Sequence, residues 1–175
     1  TAAFHEQAAA EGLNFHSING DAFSDEIKQQ SIDYINANMG KIDLVVYSLA
    51  SPKRKDPESG EVYSSVLKPV GKQYTTKTYN TDRDEVHEVT LDPATDDDIA
   101  NTVKVMGGED WARWIKQLHD AGVLAQDCQT TAYTYIGKKL TWPIYGHATI
   151  GRAKEDLDRA ASELDKNYQD INLKA

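Results

Sequence analysis

The sequence predicts an α/β fold in which helices flank a parallel sheet. Helix-like and strand-like patterns alternate over the first 50 residues, as they do in chains that build such sheets. The segment 42–50 is nearly continuously apolar, which is typical of a strand buried on both faces of a parallel sheet. At 175 residues, of which 39% are hydrophobic and 27% charged, the chain is long enough for one domain with its own core.

The amino-terminal part predicts a β–α–β unit that lacks its first strand. The predicted elements, in order, are a helix over 3–11, a strand over 13–18, a helix over 24–39 and a strand over 42–50. The first helix is rich in alanine and ends at Gly12, and the second has Ser24 as its N-cap and Gly40 as its stop. The first strand is predicted from the alternation of apolar and polar residues.

A small β-rich insertion is predicted over residues 51–94, within one truncated domain that spans residues 1–175. The segment is rich in Thr, Val, Tyr, Lys and Gly, and turn signals occur at 57–60 and 69–71. Short antiparallel strands are therefore expected near 62–67 and 86–91.

Helices predominate after the insertion. The predicted elements are a helix from 95, a helix over 109–121, a strand over 129–136 and a helix over 149–168. Thr95 and the three aspartates that follow it form a helix start, because acidic side chains suit the positive end of a helix dipole. We interpret Trp111 and Trp114, on one face of the second helix, as core or lid packing.

Composition and charge exclude several classes of function. The net charge of −9 argues against a nucleic-acid-binding surface, and no apolar run is long enough for insertion into a membrane. The single cysteine, Cys128, excludes an internal disulfide and is predicted to be buried, so a reducing, cytoplasmic compartment is expected. The five histidines lack metal-ligand spacing, and no metal site is predicted.

Both ends of the sequence indicate an internal stretch of a longer protein. Residue 1 leads directly into a helix, and the glycine-rich phosphate turn that precedes the first helix of a dinucleotide-binding fold is absent. We therefore expect the N- and C-terminal parts of the full fold to lie outside this sequence.

Two strand ends carry candidate ligand contacts. Asp21 follows the strand at 13–18, and its carboxylate could accept a hydrogen bond from an adenine amine, with Ala22 beside it. The alternative is a turn residue or helix cap, which we favour on this motif alone. The small residues of 47–51 end the next strand and would let a cofactor approach the backbone, although an ordinary strand exit has the same pattern.

Other candidates have a plainer interpretation. The basic run Lys53, Arg54 and Lys55 could contact substrate phosphates, but we favour a solvated basic loop. Tyr133 and Tyr135 lie on the predicted strand 129–136, where β-propensity and core packing explain them.

Tyr145 and Lys154 are the most specific candidates for a catalytic pair. A tyrosine hydroxyl can donate a proton to a developing enolate oxygen, and a nearby ammonium assists it. The two residues are nine apart, and at about 100° per residue a regular helix would place them on opposite faces. A functional pair therefore requires Tyr145 to precede the long helix, and Pro143, Gly146 and Gly151 favour such a break.

Lys154 also lies on the apolar stripe of the long helix. The stripe continues through Leu157, Ala161, Leu164 and Tyr168. A lysine facing the core is costly without a partner, which is an argument for a functional role, although this pattern alone does not decide between that role and the alternative. The alternative is a lysine that extends past the end of the stripe to reach water.

The sequence resembles the FabV-type enoyl-acyl-carrier-protein reductases and the related trans-2-enoyl-CoA reductases over essentially its whole length. The matching motifs are SINGDAFSDE at 17–26, YSLASP at 47–52, VKVMGGEDW at 103–111, YTYIG at 133–137 and the Tyr-x8-Lys spacing of Tyr145 and Lys154. The Tyr-x8-Lys spacing distinguishes this family from other reductases of related fold.

The resemblance implies an extended Rossmann-type reductase. Its expected reaction is the NADH-dependent reduction of the C2=C3 double bond of trans-2-enoyl thioesters in fatty acid synthesis, with enoyl-CoA or enoyl-acyl-carrier protein as substrate. The implied roles are catalysis by Tyr145 and Lys154, cofactor binding by Asp21, Ala22, Leu49, Ala50 and Lys154, and substrate binding by Tyr135. We expect a monomer.

Two other functions stay open at this point. One is a non-catalytic Rossmann-type domain that binds a nucleotide or a partner protein, which the acidic charge and the missing phosphate turn favour. The other is an ordinary short-chain dehydrogenase acting on alcohols, which is weaker, because that class places a lysine four residues after the tyrosine on a helix. Tyr135 and Lys139 have this spacing, but Gly137 interrupts it and Tyr135 is predicted to be in a strand.

Overall fold

The computed structural model of the chain describes residues 2–135 and 137–175. In chain order, the elements are α1 (Ala2–Ala10), α2 (Asp25–Asn38), β1 (Ile42–Tyr47), β2 (Lys53–Lys55), β3 (Val62–Ser64), β4 (Tyr74–Asn80), β5 (Glu85–Leu91), α3 (Asp96–Met106), α4 (Glu109–Asp120), β6 (Leu124–Ala132), α5 (Trp142–Tyr145) and α6 (Thr149–Asn167). Short 3-10 turns lie at Lys139–Thr141 and Gln169–Ile171.

The central sheet pairs β1 with β6 in parallel. Their register runs from Leu44 opposite Gln129 to Tyr47 opposite Ala132, and the pairing is irregular before Leu44. Asp127, in the irregular part of β6, has a φ of 60°. The predicted α/β fold with a parallel sheet and flanking helices is confirmed.

Helix ends are well predicted by their capping residues. The Ser24 hydroxyl accepts a hydrogen bond from the Ile27 amide at the start of α2. Thr95 and Asp98 form a reciprocal capping box at the start of α3. None of the helices in the described ranges has the length and apolarity that a membrane crossing requires.

The core lies between the sheet and the helices α2, α4 and α6. Its buried members include Ile32, Trp111, Ile115, Leu118, Val123, Cys128 and Leu164. The indole N–H of Trp111 donates to the Thr130 hydroxyl at 2.9 Å, which satisfies its only polar group inside the core. The predicted packing roles of Trp111 and Trp114 and the predicted burial of Cys128 are confirmed.

Two strand predictions are wrong, one entirely and one in part. Residues 13–18 form no strand, because no described segment pairs with their backbone. The strand predicted over 129–136 is observed at Leu124–Ala132, so Tyr133 and Tyr135 follow it instead of packing within it, and Ile136 lies outside the described residues.

β1 is less buried than its sequence predicts. Leu44 is 56% exposed and Val46 is 43% exposed. Within the described residues, β6 is the only strand that pairs with β1, so its other edge is uncovered. A continuous apolar pattern is typical of a strand that is covered on both faces, whereas Leu44 and Val46 lie on one uncovered face of β1.

Residues 51–94 contain two antiparallel hairpins. β2 pairs with β3 and packs against α3, whereas β4 and β5 pair with each other over seven residues each. The predicted strands near 62–67 and 86–91 correspond to β3 and β5. The second is confirmed, and the first is confirmed in part, because β3 ends at Ser64. Their partners β2 and β4 were not predicted.

Candidate active site

Tyr145 and Lys154 lie on two separate helices. Tyr145 is the last residue of α5, and Lys154 lies in the second turn of α6, which begins at Thr149. The backbone bends between them at Gly146–Ala148. The expected break before the long helix is therefore present, and the two residues do not face opposite ways on one regular helix.

A close backbone contact holds this bend. A methyl group at Gly151 would lie 1.9 Å from the carbonyl oxygen of Gly146, so only glycine permits the approach. The segment before the insertion hairpin β4–β5 anchors the start of α6: the Thr149 amide donates to the Lys68 carbonyl at 3.1 Å, and the Thr149 hydroxyl donates to the Val66 carbonyl. The bend is thus fixed from both sides.

The bend brings the predicted residues to one cavity of about 380 Å³. Leu49 and Ala50, just beyond the carboxyl end of β1, form one wall, and Tyr135, Tyr145 and Lys154 line the same space. The remaining lining is mostly apolar. The structure therefore gathers five of the seven residues that the sequence nominated, although their roles stay predictions.

Tyr135 lies beside both members of the pair. Its ring packs edge-on against the Tyr145 ring, with centroids 6.2 Å apart, and its face lies 5.8 Å from Nζ of Lys154. Burial lowers the pKa of Lys154 below the usual lysine value. Within the described ranges, no carboxylate forms an ion pair with Lys154. The face of the Tyr135 ring lies beside its ammonium group instead.

Ala22 and Asp21 lie apart from this cavity. Ala22 lines a neighbouring cavity of about 350 Å³, which shares Tyr47 and Leu49 with the first. The Asp21 carboxylate accepts a hydrogen bond from the Phe23 amide at 3.0 Å and faces a separate surface hollow beside Lys55. This is the turn geometry of the plainer interpretation, and contact with adenine stays a prediction.

The prediction of a solvated basic loop is wrong for Arg54. Its side chain is 1% exposed, because β2 turns that residue inward. Its guanidinium donates to the Lys104 carbonyl at 2.6 Å and to the Glu109 carboxylate at 3.0 Å. Arg54 is therefore engaged inside the fold, while Lys53 and Lys55 on either side are exposed.

The comparisons with known proteins identify the family. Residues 1–175 match the family model described as the trans-2-enoyl-CoA reductase catalytic region. The chain belongs to this family. The resemblance noted from the sequence motifs is confirmed.

Named relatives and solved structures agree with this assignment. The chain is 85% identical to an enoyl-[acyl-carrier-protein] reductase [NADH] of Idiomarina loihiensis and 62% identical to one of Pseudoalteromonas atlantica, and covers 45% and 44% of those proteins. The whole chain is matched in each case. A trans-2-enoyl-CoA reductase of Treponema denticola, solved in complex with NAD, is 50% identical with a TM-score of 0.93, over 99% of this chain and 43% of that one. The chain thus spans less than half the length of its relatives.

A buried polar network in this chain was missed by sequence reasoning. Nζ of Lys28 lies 2.9 Å from the Asp110 carboxylate, and the Tyr47 hydroxyl donates to the same carboxylate at 3.2 Å. Lys28 and Asp110 are both inaccessible to solvent. A signal was available, because Lys28 shares a helical face with Ile32 and Ile35, four and seven residues on.

Burial sets the protonation of this network. It raises the pKa of Asp110, against the opposing effect of the Lys28 ammonium. Burial, together with the Asp110 charge, also raises the pKa of Tyr47 well above the ordinary tyrosine value. Tyr47 is therefore a hydroxyl donor to Asp110. In the part of the chain that the structure describes, no group of three His, Cys, Asp or Glu side chains could hold a metal ion.

Proposed function

We propose that the full protein carrying this chain reduces the C2=C3 double bond of trans-2-enoyl thioesters with NADH, in fatty acid synthesis. The observation that carries the proposal is the convergence of Tyr145 and Lys154, from two helices, on one mostly apolar cavity. The names of the relatives, which specify enoyl reduction and NADH, support it.

The residues at the end of β1 fit a dinucleotide. Ligands of open α/β folds bind outside the carboxyl ends of the strands, where Leu49 and Ala50 line the cavity. The adjoining cavity beside Ala22 extends this surface, as an elongated cofactor requires. Leu49, Ala50, Ala22 and Lys154 would hold NADH, with Asp21 at the adenine end, and NADH would supply the hydride that C3 gains.

Tyr145 would stabilise the charge that develops on the substrate. When C3 gains hydride, negative charge moves to the thioester oxygen, and the Tyr145 hydroxyl donates a hydrogen bond to it. The Tyr145 hydroxyl would then give up its proton to the substrate, and with a proton at C2 the product is the saturated thioester. The Lys154 ammonium lies in the same cavity, where its positive charge would stabilise the enolate.

The apolar lining would strengthen these interactions. Charged and polar contacts are worth more where water is excluded, and Leu49 and Leu157 help to exclude it here. The Tyr135 ring, which touches the Tyr145 ring, would contact the acyl thioester beside the reacting carbons.

The proposal has a direct test. In the full-length protein, the absorbance of reduced nicotinamide should fall when crotonyl-CoA or crotonyl-acyl-carrier protein is added, and should not fall with the saturated butyryl thioester. NADH binding without consumption in the presence of either crotonyl thioester would instead favour a non-catalytic nucleotide-binding domain. The ratio of the two rates identifies the preferred carrier.

We further propose one domain across 1–175, with residues 51–94 as an insertion between β1 and α3. Two antiparallel hairpins in that segment support the division. A cytoplasmic location and a monomeric state also stay proposals, and size-exclusion chromatography of the full-length protein tests the latter.

A further inference from the structure

Lys28 is fully buried and uses all three of its ammonium hydrogens. Nζ donates to the Asp110 carboxylate at 2.9 Å, to the Phe23 carbonyl at 2.8 Å and to the Ala22 carbonyl at 3.3 Å. The Trp114 indole N–H donates to the same Ala22 carbonyl at 3.1 Å. The buried Lys28 and the partly buried Trp114 thus hold one short stretch of backbone.

That stretch is the turn before α2. It follows the unpaired segment at 13–19, so neighbouring strands do not fix its position in the described residues. Helix α4 does so instead, because Asp110 and Trp114 lie one turn apart on it. The position of Ala22 is therefore set by contacts with α4.

The same carboxylate reaches the end of β1. Asp110 accepts the Tyr47 hydroxyl through one oxygen and Lys28 through the other. Tyr47 and Ala22 line one cavity, and Tyr47 also lines the cavity of Tyr145 and Lys154. A chain of hydrogen bonds therefore runs from the Ala22 carbonyl through Lys28 and Asp110 to the Tyr47 hydroxyl. It connects the turn before α2 to the end of β1.

We propose that Lys28 and Asp110 are positioning residues for cofactor binding, which hold the Ala22 turn at a fixed separation from the end of β1. The inference rests on the proposed binding of NADH. Lys28 and Asp110 would act at the adenosine end of the cofactor, because their hydrogen bonds hold Ala22. The nicotinamide end would lie in the cavity that Tyr145 lines.

A stabilising role alone does not account for this arrangement. A buried ion pair contributes little net stability compared with apolar residues of similar size, and α2 buries the apolar Ile32 one turn later. Apolar packing at position 28 would fill the space, but it would leave the Ala22 and Phe23 carbonyls without this donor.

The test separates the two ends of the cofactor. In the full-length protein, the double variant Lys28→Met with Asp110→Asn removes both charges together, so neither is left buried alone. Fluorescence titration then gives the dissociation constants for NADH and for reduced nicotinamide mononucleotide, which lacks the adenosine half. We expect NADH to bind roughly tenfold or more weakly, as for a lost charged hydrogen bond, with the mononucleotide unchanged.

Two further variants keep the test decisive. Trp114→Phe removes the other donor to the Ala22 carbonyl and retains an aromatic ring, so it should weaken NADH binding selectively in the same way. Lys104→Met removes a lysine that pairs with Glu109, the neighbour of Asp110, and should leave both affinities unchanged.

Two outcomes would overturn the proposal. If the double variant and Trp114→Phe both bind NADH as the wild type does, the turn does not need this network. If NADH and the mononucleotide lose affinity in parallel, the network has only a general structural role. If the wild-type protein binds neither NADH nor the mononucleotide, that result contradicts the proposed function on which this inference rests.

Discussion

Replacing Gly151 with alanine should separate Tyr145 from Lys154. The added methyl group would lie 1.9 Å from the Gly146 carbonyl oxygen, whereas real Cβ atoms essentially never approach within 3.0 Å. The difference, about 1.1 Å, is the least by which the two backbones must move apart. A displacement of about 1 Å in a catalytic site can cost roughly 100-fold in rate, so kcat should fall by about that factor.

The stability of the protein should change much less. Overpacking typically costs about 1–3 kcal/mol, and alanine is about 1 kcal/mol better than glycine inside a helix, so the two effects partly cancel. Urea unfolding of the Gly151→Ala protein checks this, and steady-state reduction of crotonyl-CoA gives kcat. The control is Arg152→Ala, which removes only an exposed ion pair with Glu155 on the same helix. Wild-type kcat in Gly151→Ala would refute the role assigned to the bend.

Three further predictions concern single contacts. Burial lowers the pKa of Lys154, so its ammonium loses its proton at a lower pH than that of a free lysine. The value of kcat/KM should therefore fall as the pH rises into that range. In Lys154→Arg any remaining activity should persist to higher pH, because arginine stays protonated. Gly108→Ala would place a methyl group 2.2 Å from Cβ of Ala160, and urea unfolding should show a loss of about 1–3 kcal/mol, whereas no loss would mean that α4 and α6 adapt freely. Thr95→Ala removes the cap that accepts the Asp98 amide, and should cost about 1 kcal/mol in the same assay, with Thr95→Ser near wild type.

Local signals in the sequence predict the helix boundaries and the bend at the site. Ser24 and Thr95 mark helix starts because their hydroxyls accept amides three residues later, an interaction within one turn. The break after Tyr145 is predictable because Gly146 and Gly151 permit a close backbone approach. Each of these features depends on residues near one another in the chain.

Features that depend on distant partners could not be predicted in this way. Lys28 is buried by Asp110, which lies 82 residues away, and Arg54 is buried by a partner 55 residues away. A lysine or an arginine is exposed by default, so residue type alone assigns both to the surface. The helical face that Lys28 shares with Ile32 signals its burial, but it does not identify Asp110 as the partner. The strand predicted over 13–18 failed for a related reason, since alternation predicts a strand only where a neighbouring strand exists.

The most direct test of the catalytic pair is Tyr145→Phe in the full-length protein. Turnover of crotonyl-CoA should fall roughly 100-fold or more, the usual contribution of a general acid, while the NADH dissociation constant stays unchanged. The matched control is Tyr79→Phe, an exposed tyrosine on β4. Near-wild-type turnover in Tyr145→Phe would contradict the role of Tyr145 as the group that stabilises and protonates the substrate.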